Sequence, residues 1–427
     1  MEIMSTKALL DTITPVDVIH GKRMTDKRLR WRLRFLNLLN TPLYQIKPSL
    51  MSVTACRIVK LSLEYGFCSE SAMGLQICGQ DILKIEKDIE ECIKWNQAAL
   101  RLVESLGAKH VIPRIKTNVF LSAYWKEPLQ AELESLKENH SELLMAGDFA
   151  FLALNAFHFC RRSQVCGRNL LTAEKECVAL LHEMHRLRRM NVFLSMISNH
   201  LSILKLMGSN YDSKQQPNKP LFHLLGKKEI DSEDGLLQHA LSNQLVGPAK
   251  QIYFDRLMLA FWSRNYSAAA QYAEKYSECH QSPRFTDLFQ TFYRGVSAFR
   301  LARFRLEDDK AREWLDVGNK AISQYQTWVK YSDWNWENKL LLLEAESHAC
   351  EGELEVAKSK FRASIDSAQR HRFVHEEGLA NELLGTFLEE NGNLDEAKEH
   401  YAYARSCYQK WGAFALADRT SIGKILN

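Results

Sequence analysis

Proline and glycine are scarce in this chain, with only 9 Pro and 19 Gly among 427 residues. Doubly wound nucleotide-binding folds need glycine-rich loops, and β-sandwiches need many turns. The scarcity of both residues therefore favours long helices joined by short connections. The sequence also has no period-2 apolar run bounded by turn residues, so it predicts essentially no sheet.

Long apolar runs and paired cysteines are missing as well. No run approaches the ~18 apolar residues of a membrane helix, and Glu2 and Asp11 interrupt the apolar core that a secretory signal needs. The 10 Cys are dispersed without a C-x-x-C pair, which is typical of buried thiols in a reducing compartment. These absences predict an intracellular, cytoplasmic protein with no membrane span.

Charge of one sign is not in excess, because 56 basic and 52 acidic residues leave a net charge of +4. This balance gives no reason to predict nucleic-acid binding. One basic segment stands out near the N-terminus: Lys22, Arg23, Lys27, Arg28, Arg30, Arg32 and Arg34, interleaved with Leu29, Trp31, Leu33 and Phe35. It fits a basic amphipathic helix for an acidic partner or a membrane surface. It also fits a solvated helix whose apolar side packs on the helices that follow it. The leucines that continue the apolar pattern at 36–39 favour this second interpretation.

What the chain does contain is an internal repeat. Residues 351–361 read EGELEVAKSKF and residues 391–401 read NGNLDEAKEHY, so both match G-x-L-[ED]-x-A-K-x-x-[FY] forty residues apart. A fixed period of this size predicts an array of helix hairpins in which each covers its neighbour's apolar face. The period exceeds the roughly 34 residues of an ideal tetratricopeptide repeat, which predicts longer helices or loops.

The repeat assigns a role to each matched position. Small residues are expected where the two helices of a hairpin approach closely, bulky residues where the next hairpin docks, and Gly at the turn, where a positive φ suits it. Leu354 and Leu394 are expected to anchor the start of each second helix against the first. The close-approach positions are Ala345, Gly385, Ala357 and Ala397, the bulky ones Phe361 and Tyr401, the turns Gly352 and Gly392, and a weaker third copy contains Tyr266, Ala269 and Ala273.

Apolar residues at i, i+3 and i+4 predict helices along nearly the whole chain. The predicted organisation is a basic N-terminal segment (1–40), an N-terminal helical array (41–208), a linker or loop (209–235) and C-terminal tetratricopeptide-like repeats (236–427). The predicted fold class is an all-α, right-handed α-solenoid of antiparallel helix hairpins. The helices are expected at 48–63, 70–83, 86–106, 112–123, 128–145, 147–164, 172–188, 190–206, 236–243, 247–263, 266–279, 284–303, 308–330, 335–350, 353–370, 374–390, 393–410 and 412–425.

Several blocks of residues match a known family. The sharpest are Tyr401, Ala404, Tyr408, Trp411, Gly412 and Ala413, then Ala380, Glu382, Gly385 and Phe387, and then Lys339, Leu341, Leu342, Glu344, Ala345 and Glu346. Looser matches are Leu61 to Gly66 with Ser69, Ser71 and Ala72, and Trp125, Pro128, Leu129, Gly147, Asp148 and Ala150. Together they resemble the helical region of large signalling proteins that join a kinase-like domain, a STAND-type ATPase, tetratricopeptide-like repeats, a GAF domain and a histidine kinase. The resemblance spans roughly residues 45–425 and implies a connecting, regulatory region with no catalytic residues to carry over.

The departures from that family concern its catalytic parts. The chain has no G-x-x-x-x-G-K-[ST] phosphate loop and none of the kinase elements G-x-G-x-x-G, H-R-D or D-F-G. After Ala413 it runs Phe-Ala-Leu-Ala-Asp-Arg, where the family tends to keep a Lys and a later Leu-Glu. The sequence leaves open whether the chain is a separate descendant of the repeat module or a fragment of a larger protein.

Two histidine pairs look superficially like metal ligands. His182 and His185 flank Glu183, but their spacing is three rather than the four of a zincin, and no third ligand is evident. His371 and His375 stand four apart beside arginines, which suits a helix surface or a repeat junction better than a metal. The sequence predicts no metal, no cofactor and no catalytic site.

Other candidate residues have competing structural interpretations. His158, Cys160 and Cys166 lack the spacing of structural zinc and lie among apolar residues, which favours core packing. The carboxylate clamp of chaperone-binding tetratricopeptide domains needs Lys and Asn on the inner helix faces. This chain has Leu342, Glu346, Glu382 and Thr386 at those positions, so recognition of a C-terminal carboxylate is disfavoured. Exposed aromatics at a helix junction could anchor a peptide, although in helical arrays they mostly fill gaps between hairpins: Trp328, Trp334 and Trp336.

These observations predict a non-enzymatic protein–protein interaction scaffold or regulatory module in signal transduction. Its long concave surface would offer many weak contacts to a protein partner, for example a kinase or an ATPase of a pathway. The alternative is a helical-repeat regulator that closes around a small molecule near residues 209–235. An enzyme of another kind would need a deep pocket lined by several buried carboxylates or histidines. The sequence does not identify the partner-binding residues.

Overall fold

A computed structural model describes residues 2–208, 221–225, 230, 232–279, 285–303 and 309–420. Within these residues the chain forms α-helices and one short 3-10 helix, with no β-strand. One isolated parallel bridge joins Arg23 to Phe67. Many helices that follow one another along the chain pack together, and those joined by short described turns run antiparallel. The prediction of an all-α array of antiparallel hairpins with essentially no sheet is confirmed over the described part of the chain.

The described residues fall into two compact units, of which the first comprises residues 2–125 and 134–156. Its helices are α1 (Glu2–Leu10), α2 (Pro15–His20), α3 (Lys27–Ile46), α4 (Pro48–Tyr65), α5 (Ser71–Glu86), α6 (Ile89–Ser105), α7 (Ile112–Ala123) and parts of α8 (Leu129–Ala146) and α9 (Phe149–Val165). From α3 to α7 each helix packs on the next. Cys56, Leu75 and Trp95 lie in the core of this unit and are fully buried.

The second unit holds the described residues of 126–133, 157–279 and 285–420. It contains a 3-10 helix (Leu221–Leu225) and α10 (Leu170–Arg186), α11 (Met190–Met207), α12 (Glu233–Ser242), α13 (Val246–Trp262), α14 (Tyr266–Glu278), α15 (Phe285–Arg303), α16 (Asp309–Trp328), α17 (Asp333–Glu351), α18 (Leu354–Arg370), α19 (Val374–Glu390), α20 (Leu394–Trp411) and α21 (Phe414–Arg419). The most extensive packing is within hairpins, between α17 and α18 and between α19 and α20. These are the two copies of the sequence repeat.

In the second unit, the first helix of each pair lies inside and the second lies outside. Helices α13, α15, α17 and α19 are buried around nearly their whole circumference. Helix α18 instead buries Ala357, Phe361, Ser364 and Ala368, a spacing of three or four that marks one face of a helix. The outward faces of the second helices are therefore the surface that this unit offers to other molecules.

The last hairpin of the second unit packs against the unit's first helices. Helix α21 contacts α11, the Arg419 guanidinium donates to the carbonyl of Trp262 at 2.6 Å, and Nε2 of His375 lies 3.1 Å from the carbonyl oxygen of Val165. The His375 ring contacts Trp262 and Trp411, with centroids 6.0 Å and 5.1 Å away. These contacts hold α19 and α21 against α9, α11 and α13.

Hairpin turns share one backbone geometry. The amide of Glu353 donates to the carbonyl of His348 at 3.0 Å, and the amide of Phe373 donates to that of Ala368 at 2.9 Å, which is the long bond of a Schellman cap. The residue before each of these amides has a positive φ, as the motif requires. Residues in this conformation include Gly352, Gly392 and Gly412, as predicted for the first two, but also Arg188, Gln244, Arg264 and Arg372.

The predicted roles of the repeat positions hold with one exception. Ala345, Ala357, Ala397, Phe361 and Tyr401 are buried, as are Tyr266, Ala269 and Ala273 of the third copy. A Cβ on Gly385 would lie 2.9 Å from the Tyr401 ring, which fits close approach of α19 and α20. The prediction for Leu354 and Leu394 is wrong, because they are 45% and 48% exposed. Each is the first residue of its helix and points to solvent rather than to the partner helix.

The division at residues 209–235 stays a prediction. Residues 209–220, 226–229 and 231 lie outside the described part of the chain. The boundaries 1–40, 41–208 and 236–427 and the right-handed sense of the array are likewise predictions.

Candidate functional site

The positions that would form a carboxylate clamp belong to the packed interior of the second unit. Leu342, Glu346, Glu382 and Thr386 are each at most 1% exposed. A partner has no access to these four side chains. Arg300 and Arg303 of α15 cover Glu346, and Arg264 and Arg419 cover Glu382.

The charged groups of this interior are arranged in ion pairs. The Arg264 guanidinium contacts the buried Glu382 carboxylate, which also accepts a hydrogen bond from the hydroxyl of Tyr408 and lies 3.5 Å from the Arg419 guanidinium. Burial raises the pKa of Glu382, but the two guanidinium groups outweigh it and hold this pKa below its usual range. Glu382 is therefore a carboxylate that joins α19 to α20 and to the turn after α13.

A second pair lies between α17 and α19 beside aromatic rings. Nζ of Lys339 donates to the Glu376 carboxylate at 2.7 Å and to the carbonyl of Asn335 at 2.9 Å. The same ammonium lies 4.3 Å from the Phe373 ring centroid, a cation–π distance. Burial lowers the pKa of Lys339, and the Glu376 charge partly offsets this effect. Glu376 is only 3% exposed.

Buried carboxylates and a buried histidine are the residue types that an enzyme would use, so their surroundings decide their role. Lys339, Glu376 and Glu382 all engage ion pairs, and the cavity described below is lined by other residues. Burial lowers the pKa of His375 to about 4, so that this ring is neutral near pH 7. Such an arrangement joins neighbouring helices through ion pairs and ring contacts.

A groove lies on the outer face of α18. It has a volume of about 340 Å³ and is lined by Glu355, Lys358, Ser359, Arg362, Ala363 and Asp366. Each of the six residues lies three or four positions from at least one of the others along α18, so they share one face of the helix. This surface is named the α18 groove below.

Charged side chains of α18 and α20 meet beside the α18 groove. The Glu396 carboxylate of α20 accepts from Nζ of Lys358 at 2.7 Å and from the guanidinium of Arg362 at 2.8 Å. The hydrogen bond and charge of Lys358, with those of Arg362, hold the pKa of Glu396 below its ordinary value. Also on α20, Tyr403 is 63% exposed. The surface therefore offers both signs of charge and an exposed aromatic ring to a ligand in solution.

The sequence did not single out these groove residues. Their signal is a polar stripe opposite the buried Ala357 and Phe361 stripe, and such a stripe is the ordinary solvated face of an amphipathic helix. Only the three-dimensional arrangement of α18 and α20 shows that Lys358 and Arg362 both pair with the Glu396 carboxylate of the next hairpin.

The predicted structural roles of the aromatic residues are confirmed. Trp336 is fully buried, and Trp328 and Trp334 are half-buried. Nε1 of Trp334 donates to Oε1 of Gln130 at 3.3 Å, and its ring lies 4.7 Å from that of His371. These rings fill gaps within the array, as the core interpretation predicts.

The two histidine pairs noted in the sequence lie in different surroundings. His371 and His375 are both buried at the turn from α18 to α19, so a repeat junction is confirmed and a helix surface is wrong. His182 and His185 are exposed on α10. The thiol of Cys166 donates to the carbonyl of Ser163 at 3.7 Å.

One group of three metal-ligating side chains occurs among the described residues, at a position the sequence did not suggest. His348, Glu351 and Glu353 at the turn from α17 to α18 bring a ligand atom each within 4.8 Å of one another. Nδ1 of His348 and the Glu353 carboxylate are 2.7 Å apart. All three residues lie at an open turn, and Glu351 and Glu353 are exposed. They form a hydrogen-bonded surface cluster.

Comparisons with known proteins do not assign the chain to a family. No family model matches it, and no curated protein matches it. One solved structure is described as "Circular tandem repeat protein with novel repeat topology and enhanced subunit contact surfaces"; it is 12% identical and covers 98% of this chain and 98% of its own. Its TM-score is 0.20, a value too low to carry an argument. Within the described ranges, no helix has both the length and the apolarity needed to cross a membrane.

Proposed function

We propose that the chain is a non-catalytic protein-binding module of a signalling system, and that it binds its partner on the outer faces of α18 and α20. The observation that carries this proposal is the α18 groove, an open depression of about 340 Å³ on one helix face that displays charges of both signs. Most residues of α13, α15, α17 and α19 are buried, so we place the binding surface on the second helices and not on the concave surface expected from the sequence.

The chemistry of the groove favours a polypeptide as the ligand. Lys358 and Arg362 lie between Glu355 and Asp366 along one face, and Glu396 contacts both basic side chains. A nucleic acid is bound mainly by basic side chains that neutralise its phosphates. A protein segment with both acidic and basic residues can instead pair with the basic and the acidic side chains of the groove. Tyr403 adds an exposed ring of the kind enriched in protein interfaces.

The signalling context of this proposal comes from the resemblance of the repeat blocks. Regulatory helical regions of that family connect kinase-like and ATPase domains, so a kinase or an ATPase of the pathway is the partner class that we propose. A cytoplasmic location fits the same proposal. No cofactor enters this function.

The test is a capture experiment with a matched surface control. The full chain is immobilised, exposed to extract of the native organism, and compared with the variants Arg362→Glu and Tyr403→Ala by quantitative mass spectrometry. Lys320→Glu reverses a basic charge on the exposed face of α16, another second helix, and serves as the control. We expect one protein to be captured by the native chain and by Lys320→Glu and to be depleted at least tenfold with both groove variants.

Three results would overturn the proposal. Equal capture by all variants would place the partner elsewhere, and turnover of a nucleotide by the pure chain would make it an enzyme. Thermal stabilisation by a metabolite, without a protein partner, would support the alternative small-molecule regulator.

A further inference from the structure

Helix α3 of the first unit has two apolar faces, and only one of them is packed. Its inner face contributes Leu33, which is fully buried in a cluster with Met24, Ile58 and Cys68. Nδ2 of Asn37 donates to the carbonyl of Glu70 at 2.8 Å. These contacts fix the rotation of the helix, as the packing interpretation of the sequence predicts.

The outer face of α3 is an exposed apolar stripe. Trp31, Phe35 and Leu38 are 65%, 62% and 62% exposed, and Pro42 continues the line. At about 100° of rotation per residue these positions fall within roughly 60° of one another. We call Trp31, Phe35 and Leu38 the α3 stripe. These large apolar side chains are exposed to solvent, and a contiguous exposed apolar patch of this kind marks an interaction surface.

Cations lie on both sides of the α3 stripe. The same helical geometry puts Lys27 and Arg34 along one edge and Arg28 and Arg32 along the other. The guanidinium of Arg34 lies 5.0 Å from the Trp31 ring centroid. No acidic residue occurs in α3, and the carboxylate of Asp26 accepts hydrogen bonds from the first-turn amides of Arg28 and Leu29. Helix α4 contains one acidic residue, Glu64. Its neighbour Tyr65 interacts with both Glu64 and Arg32.

We propose that α3 docks on the surface of an anionic lipid membrane, lying parallel to it with the α3 stripe among the headgroups. Trp, Phe and Leu on one side of a helix, flanked by Lys and Arg, match the two forces that bind an interfacial helix: burial of apolar area and attraction to anionic lipid. This proposal is independent of the protein-binding role of α18 and α20, which lie in the other unit.

The exposure of the α3 stripe distinguishes a membrane from other occupants. An amphipathic peptide binds in a groove whose walls cover its sides, but side chains more than 60% exposed have no such walls. A second copy paired through α3 would bring two sets of five basic residues face to face, since an isologous contact repeats the same patch. A flat anionic surface needs no walls and neutralises these charges.

The test uses the full chain with lipid vesicles. Flotation on vesicles of phosphatidylcholine alone is compared with flotation on phosphatidylcholine mixed with phosphatidylserine, at low and high salt. We expect binding to the anionic vesicles only, weakened by salt because the attraction is screened. The variant Arg28→Gln/Arg32→Gln should bind roughly 25-fold more weakly, given about fivefold per basic residue. Trp31→Ala/Phe35→Ala should lose at least tenfold in binding.

Controls separate this role from general exposure or misfolding. Tyr403→Ala removes an aromatic ring of similar exposure, and Arg405→Gln removes an exposed charge on α20; both should bind vesicles as the native chain does. Because the α3 substitutions are at exposed positions, their unfolding curves should match that of the native chain. The proposal would be overturned if the chain bound neutral vesicles equally well or bound no vesicles at all. It would also be overturned if the chain bound polyglutamate in place of vesicles, or if it associated with itself through α3 in sedimentation.

Discussion

At the scale of single residues, Gly167 and Gly352 share a backbone angle but differ in what surrounds them. Both have a φ of +77°, yet a Cβ on Gly167 would lie 2.4 Å from Nδ1 of His375, whereas one on Gly352 would meet nothing within 4 Å. The His375 ring has little room to withdraw, because it packs against Trp262 and Trp411. The two glycines thus separate the effect of backbone angle from that of packing.

We expect Gly167→Ala to lower the free energy of unfolding by about 2 to 4 kcal/mol, because backbone strain and overpacking add. Gly352→Ala should lose only about 1 kcal/mol, from the backbone angle alone. Urea denaturation followed by tryptophan fluorescence measures both variants. Equal losses would contradict the close approach of Gly167 to His375.

At the scale of elements, the turn after α13 uses a conformation that glycine usually occupies. Arg264 has a φ of +62° and Arg372, in the turn after α18, has a φ of +61°. A side chain in this region costs about 1 kcal/mol or more. The Arg264 side chain offsets that cost by pairing with Glu382, whereas Arg372 is exposed to solvent.

Replacing each arginine by glycine therefore has opposite consequences. Arg372→Gly should leave stability unchanged or raise it by about 1 kcal/mol, since only strain is removed. Arg264→Gly should lower the free energy of unfolding by about 2 to 4 kcal/mol, because the buried Glu382 loses its main partner. Chemical denaturation of both variants tests this, and Arg264→Gly/Glu382→Gln should recover part of the loss. A stabilised Arg264→Gly would show that the ion pair contributes nothing.

The same turns show what the sequence predicts well and why it fails elsewhere. Helices and the turns at Gly352 and Gly392 follow from local patterns, namely apolar spacing and a residue suited to positive φ. The turns at Arg264 and Arg372 carry no such local signal, because tertiary contacts and helix packing hold them. Likewise, the polar stripe of α18 predicts a solvated face, and only the position of α20 shows that Lys358 and Arg362 pair with Glu396.

At the scale of the whole molecule, the second unit keeps ionisable groups inside a close-packed array. Burial raises the pKa of Glu132 to about 7, partly offset by the contacting Arg162, and lowers the pKa of His375 to about 4. Each shift makes stability depend on pH, and the two act in opposite senses. Glu132 stabilises the folded state most below its unfolded pKa and loses this contribution as pH rises towards 7.

His375 should make the array less stable in acid. In the unfolded chain its pKa is about 6.5, so between pH 6.5 and 4 the unfolded state binds more protons than the folded state. Its contribution is complete above pH 6.5 and is lost as pH falls through 4, by about 3 kcal/mol in total. The charges nearest to the ring, Glu376 and Lys339, act in opposite directions on this pKa.

A comparison with His375→Gln isolates this effect from Glu132 and every other titrating group. Glutamine keeps a donor for the carbonyl of Val165 but does not titrate. Between pH 7 and pH 4 the native chain should lose about 2 to 3 kcal/mol more free energy of unfolding than the variant, measured by urea denaturation at each pH. Parallel curves for the two proteins would mean that His375 is protonated in the folded state. In that case the packing of its ring against Trp262 and Trp411 would not exclude the charge, and the interior would be open to water at that junction.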